Sequence, residues 1–329
     1  MKPSILNALV FLIMLLALFM VGLGLTQAYA VLAQINPVLF LLACLFFIFS
    51  VFLWVISWSY LIKKHSTISP PPSYKSLLKI GFSSLYGAVT PVQLGADALR
   101  SFRLKQIFGM RYSESVSASM AVKGAKFLIL AFVTSVIMLI FLSRGLEPVF
   151  AFAFLSGFAV VLLACFLFLA PMHRGLGTRI SSFFGALPHR VPLATRLSKF
   201  FNEYSAYLRK TSARSFTIII FLSAFSWLFE FLALQFSFLA LGISLSLHSL
   251  LILMVLVSVL ERTPFLPRGI GLVEFAGYQF LAFPGLVAGA LLTVPQIVAV
   301  IIAYDIARLA VPTLFSIGLN FALPNPVKN

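Results

Sequence analysis

Charge is what this sequence has least of. Only 10% of its 329 residues are charged, eight of those are acids, and 61% of the chain is hydrophobic. Soluble domains carry about 25% charged residues. With so few polar groups a soluble particle cannot cover its apolar surface, whereas a bilayer supplies an apolar solvent. A soluble fold is therefore excluded, and the mean hydropathy of +1.07 agrees. The two cysteines, Cys44 and Cys165, lie in apolar runs, which excludes a disulfide framework or a cysteine metal centre. His65, His173, His189 and His248 are scattered without metal-binding spacing, so no metal is expected. A glycine-rich phosphate loop ending in Lys-Ser or Lys-Thr is also missing, so the chain has no ATPase motif of its own and no cofactor is expected.

Basic residues are what remain: 24 Lys and Arg give a net charge of +16. In a soluble protein that excess would point to nucleic acid. Here the cations sit in short links between apolar runs, which is the positive-inside pattern of a membrane protein, and nucleic acid is not an expected partner.

Apolar runs long enough to span occur at Ile5–Leu25, Val38–Ile62, Ala118–Leu142, Val149–Ala170, Phe216–Leu241 and Pro295–Leu319. The first ends near Ala28-Tyr29-Ala30, which resembles a signal-peptidase site, but its apolar core is longer than a signal segment's and is expected to be a retained helix. Two further stretches are interrupted. Leu77–Leu104 is broken around Gly87, Pro91 and Gly95; Leu247–Phe283 is broken around Pro264, Pro267, Gly269 and Gly271.

Loop charge sets the expected orientation. Lys63, Lys64, Lys75 and Lys79 precede the first interrupted stretch and Arg100, Arg103, Lys105 and Arg111 follow its break, so both ends face the cytoplasm. The connection 171–215 carries eight cations against Glu203 and is cytoplasmic too, whereas 26–37 and 242–246 carry no charge and face outward. The expected fold is an all-α polytopic membrane protein with six full transmembrane helices and two re-entrant hairpins in an inverted repeat. Its parts are a first repeat at 38–142 with a hairpin entering from the cytoplasm, the basic connection at 171–215, and a second repeat at 216–319 with a hairpin entering from outside. Both termini are then cytoplasmic, in the plasma membrane. Within the connection, Leu193, Leu197, Phe200, Tyr204 and Leu208 recur at helical spacing, which fits a helix lying on lipid headgroups or one packed on its own domain.

The two breaks resemble one another. One reads Thr90-Pro91-Val92-Gln93-Leu94-Gly95-Ala96-Asp97, the other Leu266-Pro267-Arg268-Gly269-Ile270-Gly271-Leu272-Val273-Glu274. Each is a proline, a glycine turn and a carboxylate, followed by a span that carries cations: Lys123 and Lys126 in one case, Arg308 in the other. Inverted repeats with interrupted helices place transporter substrate sites near the midplane. Pro91, Gly95, Pro267, Gly269 and Gly271 are expected to shape the hairpins.

An ionisable group at membrane depth costs about 2.5–3.5 kcal/mol on insertion scales, so each is a functional candidate. The candidates for substrate binding or coupling are Asp97, Arg100, Lys123, Lys126, Glu230, Glu261, Arg262, Arg268, Glu274, Asp305 and Arg308. Asp97 either contacts a headgroup or carries a proton, or else it pairs with Arg100 to pin the hairpin. Glu274 has the same roles open, with Arg268 or Arg262 as partner. Asp305 and Arg308, three residues apart, form a local pair or leave Arg308 to hold a lipid phosphate. Lys123 and Lys126 hold a phosphate or snorkel to headgroups. Glu230 is a protonation site or bonds a neighbour.

The clusters Pro91/Gly95/Asp97/Arg100 and Pro267/Gly269/Gly271/Glu274, with the cationic spans that follow them, resemble the lysylphosphatidylglycerol synthase transmembrane region family of flippase-like proteins, from about residue 10 to residue 320. This sequence has Gly95-Ala96 where the family usually has paired glycines, and Lys123 near a usual arginine. The resemblance implies movement of a lipid between leaflets; without an aminoacyl-transfer domain after the last span, it does not imply lipid synthesis. The expected partners are membrane lipids, anionic or phosphate-bearing, and a separate lipid-synthesising enzyme or glycosyltransferase. Two rival readings are an accessory subunit of such an enzyme and a membrane enzyme that modifies lipids with the same acids. A small-solute transporter is a third.

Overall fold

The computed structural model describes residues 27–89, 94–144, 148–172, 174–186, 192–261, 269–282 and 292–322. The expected span Ile5–Leu25 lies outside them, as do Pro91, Pro267, Arg262 and Arg268. Every regular element among the described residues is helical. In chain order these are α1 (Pro37–His65), α2 (Tyr74–Ser83), α3 (Leu94–Phe108), α4 (Tyr112–Arg144), α5 (Pro148–Leu169), α6 (Arg174–Ala186), α7 (Pro192–Arg209), α8 (Ala213–Ala240), α9 (Leu247–Leu260), α10 (Leu272–Ala282), α11 (Val294–Asp305) and α12 (Val311–Ala322).

Four helices among the described residues are long and apolar enough to cross a bilayer: Pro37–His65, Tyr112–Leu139, Ala213–Ala240 and Val294–Asn320. They coincide with four of the expected spans. A fifth, Val149–Ala170, corresponds to the 22-residue α5. Large apolar side chains on these helices point away from the protein, among them Leu41 at 59% exposure, Phe132 at 68% and Leu314 at 66%. In water that surface would be a liability; in hydrocarbon it costs nothing.

Local chemistry sets the helix ends. Asn36 caps α1, its Oδ1 accepting from the amides of Val38 and Leu39 at 3.0 and 3.2 Å, with Pro37 at the position that needs no amide partner. Lys63, Lys64 and His65 fill the last turn of α1, where cations complement the helix dipole. Ser73 and Ser246 cap α2 and α9 through the amides of Ser76 and Ser249.

The chain divides into two compact units. One comprises Val51–Gly87, Gly95–Trp227 and Ser316–Asn329. In it α3 is tied to the end of α2, with Arg100 Nε donating to Ser84 Oγ at 3.1 Å and Arg103 donating to Ser83 Oγ. Gly87 lies against the start of α3: a Cβ there would lie 2.7 Å from the Gly95 carbonyl carbon and 2.8 Å from the Ala96 nitrogen. Backbone cannot yield as a side chain does, so Gly87→Ala is expected to cost about 1–3 kcal/mol, measured as a lower melting temperature in detergent.

The same unit settles the amphipathic segment. Tyr204, Tyr207 and Leu208 of α7 are buried, Tyr204 Oη donates to the Phe168 carbonyl at 2.7 Å, and Ser181 and Ser198 tie α6 to α7. The apolar face of α7 thus packs on its own protein, while Lys199, Arg209 and Lys210 stay exposed. Leu193 and Leu197 are not among the described side chains. Burial pushes the phenols of Tyr204 and Tyr207 well above their usual range, so both remain protonated donors.

The other unit comprises Met1–Ser50, Ala88–Leu94 and Leu228–Phe315. Here α9 and α10 are joined through 261–271, and the chain returns against its own helix end. At Gly269, where φ is +68°, a Cβ would sit 2.5 Å from the Leu260 carbonyl oxygen, so both the conformation and the space require glycine. Ala28 packs with Val298 and Ala299 in a small apolar cluster. Glu230 accepts from Ser50 Oγ at 2.8 Å.

Between α11 and α12 the helix widens into a π turn at Ile306–Ala310, where the Val311 amide reaches the Ile306 carbonyl. Pro312 explains it. A proline ring collides with the carbonyl four residues earlier and offers no amide, and one extra residue in the turn relieves both problems. The widened turn carries Arg308.

Candidate functional site

Each unit holds a buried cluster of charges at its interrupted stretch. In the unit containing Asp97, α3 presents Ala96, Asp97, Arg100, Ser101 and Leu104 on one buried face. Asp97 Oδ2 pairs with Lys123 Nζ of α4 at 2.5 Å, with side-chain exposures of only 4% and 10%. Arg100 is fully buried. Its guanidinium lies 4.1 Å over the ring of Trp54 and 5.2 Å over that of Trp58, both on α1. Among the described residues, Arg100 Nη1 and Nη2, Trp58 Nε1 and Asp97 Oδ1 have no hydrogen-bond partner. Lys126, next on the α4 face after Lys123, is half-buried.

In the other unit the π turn directs Arg308 into three carboxylates. Its Nε binds Asp305 at 2.6 Å, Nη1 binds Glu261 at 2.9 Å and Nη2 binds Glu274 at 2.7 Å, while the guanidinium itself is fully buried. Glu274 also accepts the Gly271 amide, so α10 is tied to the glycine turn before it. A small cavity lined by Leu253, Val257, Val273, Gly277 and Tyr304 reaches Asp305.

The clusters differ in formal charge. Asp97, Lys123 and Arg100 sum to +1; Arg308 with Asp305, Glu261 and Glu274 sums to −2. Among the described residues the first has one cation more than its acid balances, and the second has two acids more than its guanidinium neutralises.

Of the candidates named from sequence, the structure joins Asp97 to Lys123, and Arg308 to Asp305, Glu261 and Glu274. The ion pair of Asp97 is with Lys123, not Arg100. Arg308 has a carboxylate on each of its three nitrogens, which makes it a counter-ion for acids. Glu230 Oε1 accepts from Ser50 Oγ at 2.8 Å. Sequence reasoning missed Trp54, Trp58 and Ser84, which surround Arg100. The available signal was the spacing: two of the chain's three tryptophans stand four residues apart, on one face of a span.

Residues 5–316 match the family described as lysylphosphatidylglycerol synthase TM region. A curated relative from Methanothermobacter thermautotrophicus, named UPF0104 membrane protein, is 25% identical over 232 residues, covering 65% of this chain. The alignment spans 66% of that relative's length. No solved structure matches this chain.

Proposed function

Because this chain belongs to the lysylphosphatidylglycerol synthase transmembrane-region family, we propose that it moves a phosphate-bearing lipid or lipid-linked precursor between the leaflets of the plasma membrane. The observation that carries this reading is the pair of buried charge clusters at the two interrupted stretches. Charge is held at membrane depth only where it has a task or a tight partner. Broken helices there free backbone groups that protein, water or substrate must satisfy.

The layout that goes with this function has six full spans and two hairpins of opposite orientation, with both termini in the cytoplasm. The basic flanks of the first hairpin and the uncharged links beside the second support it. The hairpin with Arg100 takes the headgroup. The −2 cluster supplies proton capacity, so a lipid that does not move downhill can be coupled to a pH gradient. An anionic lipid leaving an inside-negative cell gains about 2.3 kcal/mol per charge at 100 mV and needs no coupling; a cationic lipid needs it.

The test is movement without chemistry. Full-length protein is placed in liposomes carrying headgroup-labelled lipid on one leaflet, and lipids are analysed afterwards for altered headgroups. The expected result is transbilayer movement of intact lipid, slowed by about tenfold or more in Asp97→Asn. A chemically altered product would favour a lipid-modifying enzyme. The exposed basic side chains Arg179, Lys199, Arg209 and Lys210 of α6 and α7 favour a second reading, an accessory subunit. That reading requires a synthase or glycosyltransferase to co-purify, and no lipid to move without it.

A further inference from the structure

Arg100 and Arg308 are both fully buried, yet the chain treats them differently. Arg308 has a carboxylate on each of its three nitrogens. Among the described residues Arg100 has only the Ser84 hydroxyl on Nε and the faces of two tryptophans, and its two terminal nitrogens have no partner there. Buried donors are almost always paired, and a charged one is the costliest to leave open. The fork of Nη1 and Nη2 is the geometry that takes two oxygens of one phosphate. Trp58 Nε1, on a ring that Arg100 covers, is a third open donor.

We propose that Arg100, Trp54 and Trp58 form the seat for the phosphodiester of a glycerophospholipid, and that Asp97 Oδ1 receives a hydrogen-bond donor on the headgroup beyond it. The proposal rests on the translocation reading for its lipid, but its chemistry is read from the side chains. Asp97 and Arg100 stand one helical turn apart on α3, so a phosphate on Arg100 brings the next headgroup atoms towards Asp97. Lys123 already binds Oδ2, leaving Oδ1 as the acceptor. The net charge of +1 on the three ionised groups matches a phosphodiester, which is a monoanion. A headgroup ending in hydroxyl or ammonium satisfies Asp97; a trimethylammonium, which has no N–H, does not.

The experiment uses the full chain in an uncharged maltoside detergent with soluble dihexanoyl lipids, following tryptophan fluorescence and melting temperature. Phosphatidylglycerol and phosphatidylethanolamine are expected to bind and raise the melting temperature. Phosphatidylcholine and inorganic phosphate bind about tenfold more weakly or worse, each lacking a donor headgroup or a diester. Arg100→Met weakens phosphatidylglycerol by about 30-fold or more. Without lipid it melts at or above wild type, because an unpartnered buried charge has been removed. Arg100→Lys keeps the charge, loses the fork and weakens binding about tenfold; Trp58→Phe keeps the ring, loses the N–H and weakens it about fivefold.

Equal phosphatidylglycerol affinity in wild type and Arg100→Lys or Arg100→Met would overturn the site. Inorganic phosphate binding as tightly as the lipid would make it a free-anion site instead. Should Arg100→Met melt lower without lipid and Trp58→Phe bind normally, the arginine is a structural clamp and the proposal fails. Arg100-dependent binding with no transbilayer movement would keep this seat and remove the translocation reading. Movement with Arg100-independent binding would do the reverse.

Discussion

Arg308→Met should be the most damaging single substitution in this chain. It leaves Asp305, Glu261 and Glu274 facing one another around an apolar side chain, with three carboxylates and no counter-ion among the described residues. Removing one partner of a buried ion pair costs about 3–5 kcal/mol, and here a single guanidinium serves three acids. The expected outcome is aggregation or a melting temperature many degrees below wild type, measured by size-exclusion of heated detergent extracts. Arg308→Lys should be nearly as harmful, since a compact ammonium cannot present three planar donors in fixed directions. Glu261→Gln should be mild by comparison, at about 1–3 kcal/mol, because the amide can still accept from Nη1 and two carboxylates remain. A wild-type melting curve for Arg308→Met would mean the cluster does not hold α9, α10 and α11 together.

The second large effect belongs to Lys123. In Lys123→Met, Asp97 loses its cation, and among the described residues neither of its buried oxygens has another partner. The expected loss is again about 3–5 kcal/mol. Asp97→Asn together with Lys123→Gln should behave differently: a neutral pair of similar shape restores much of the stability, since both buried charges are gone together. Lipid movement should not return, because the headgroup acceptor is no longer a carboxylate. A double-mutant cycle read once by melting temperature and once by transport rate separates the two roles. Recovery of both would make the pair purely structural.

The residues show what sequence carries and what it does not. Spans are legible because twenty apolar residues in a row have few other uses, and Asn36 before Pro37 or Ser246 before Leu247 marks a helix start. Interruptions are legible from proline and glycine. Pairing between charges is legible only when local, as with Asp305 and Arg308 three residues apart. Nearness in sequence points Asp97 to Arg100 and Glu274 to Arg262 or Arg268, yet Asp97 pairs with Lys123 and Glu274 with Arg308, 26 and 34 residues away. Those contacts depend on how interrupted helices fold back, which periodicity does not encode.

Trp54 and Trp58 were hidden for another reason. In an apolar span an aromatic side chain facing lipid and one stacking on a guanidinium look alike until the cation is placed. The π turn had a signal in Pro312, within a span otherwise read as continuous. For α7 the spacing left two faces open, lipid or protein, and burial of Tyr204 and Leu208 decides for protein.

The proposed function needs the two interrupted stretches to enter the membrane from opposite faces. Sided labelling of single cysteines tests it most directly. With Cys44 and Cys165 replaced by serine, reporters go to exposed positions flanking each stretch: Lys75→Cys and Gln106→Cys for the first, Ser244→Cys and Thr293→Cys for the second. A membrane-impermeant maleimide is expected to reach the first two only from the cytoplasmic side and the second two only from outside. Labelling of Lys75→Cys and Gln106→Cys from opposite sides would make the first stretch a full crossing and contradict it.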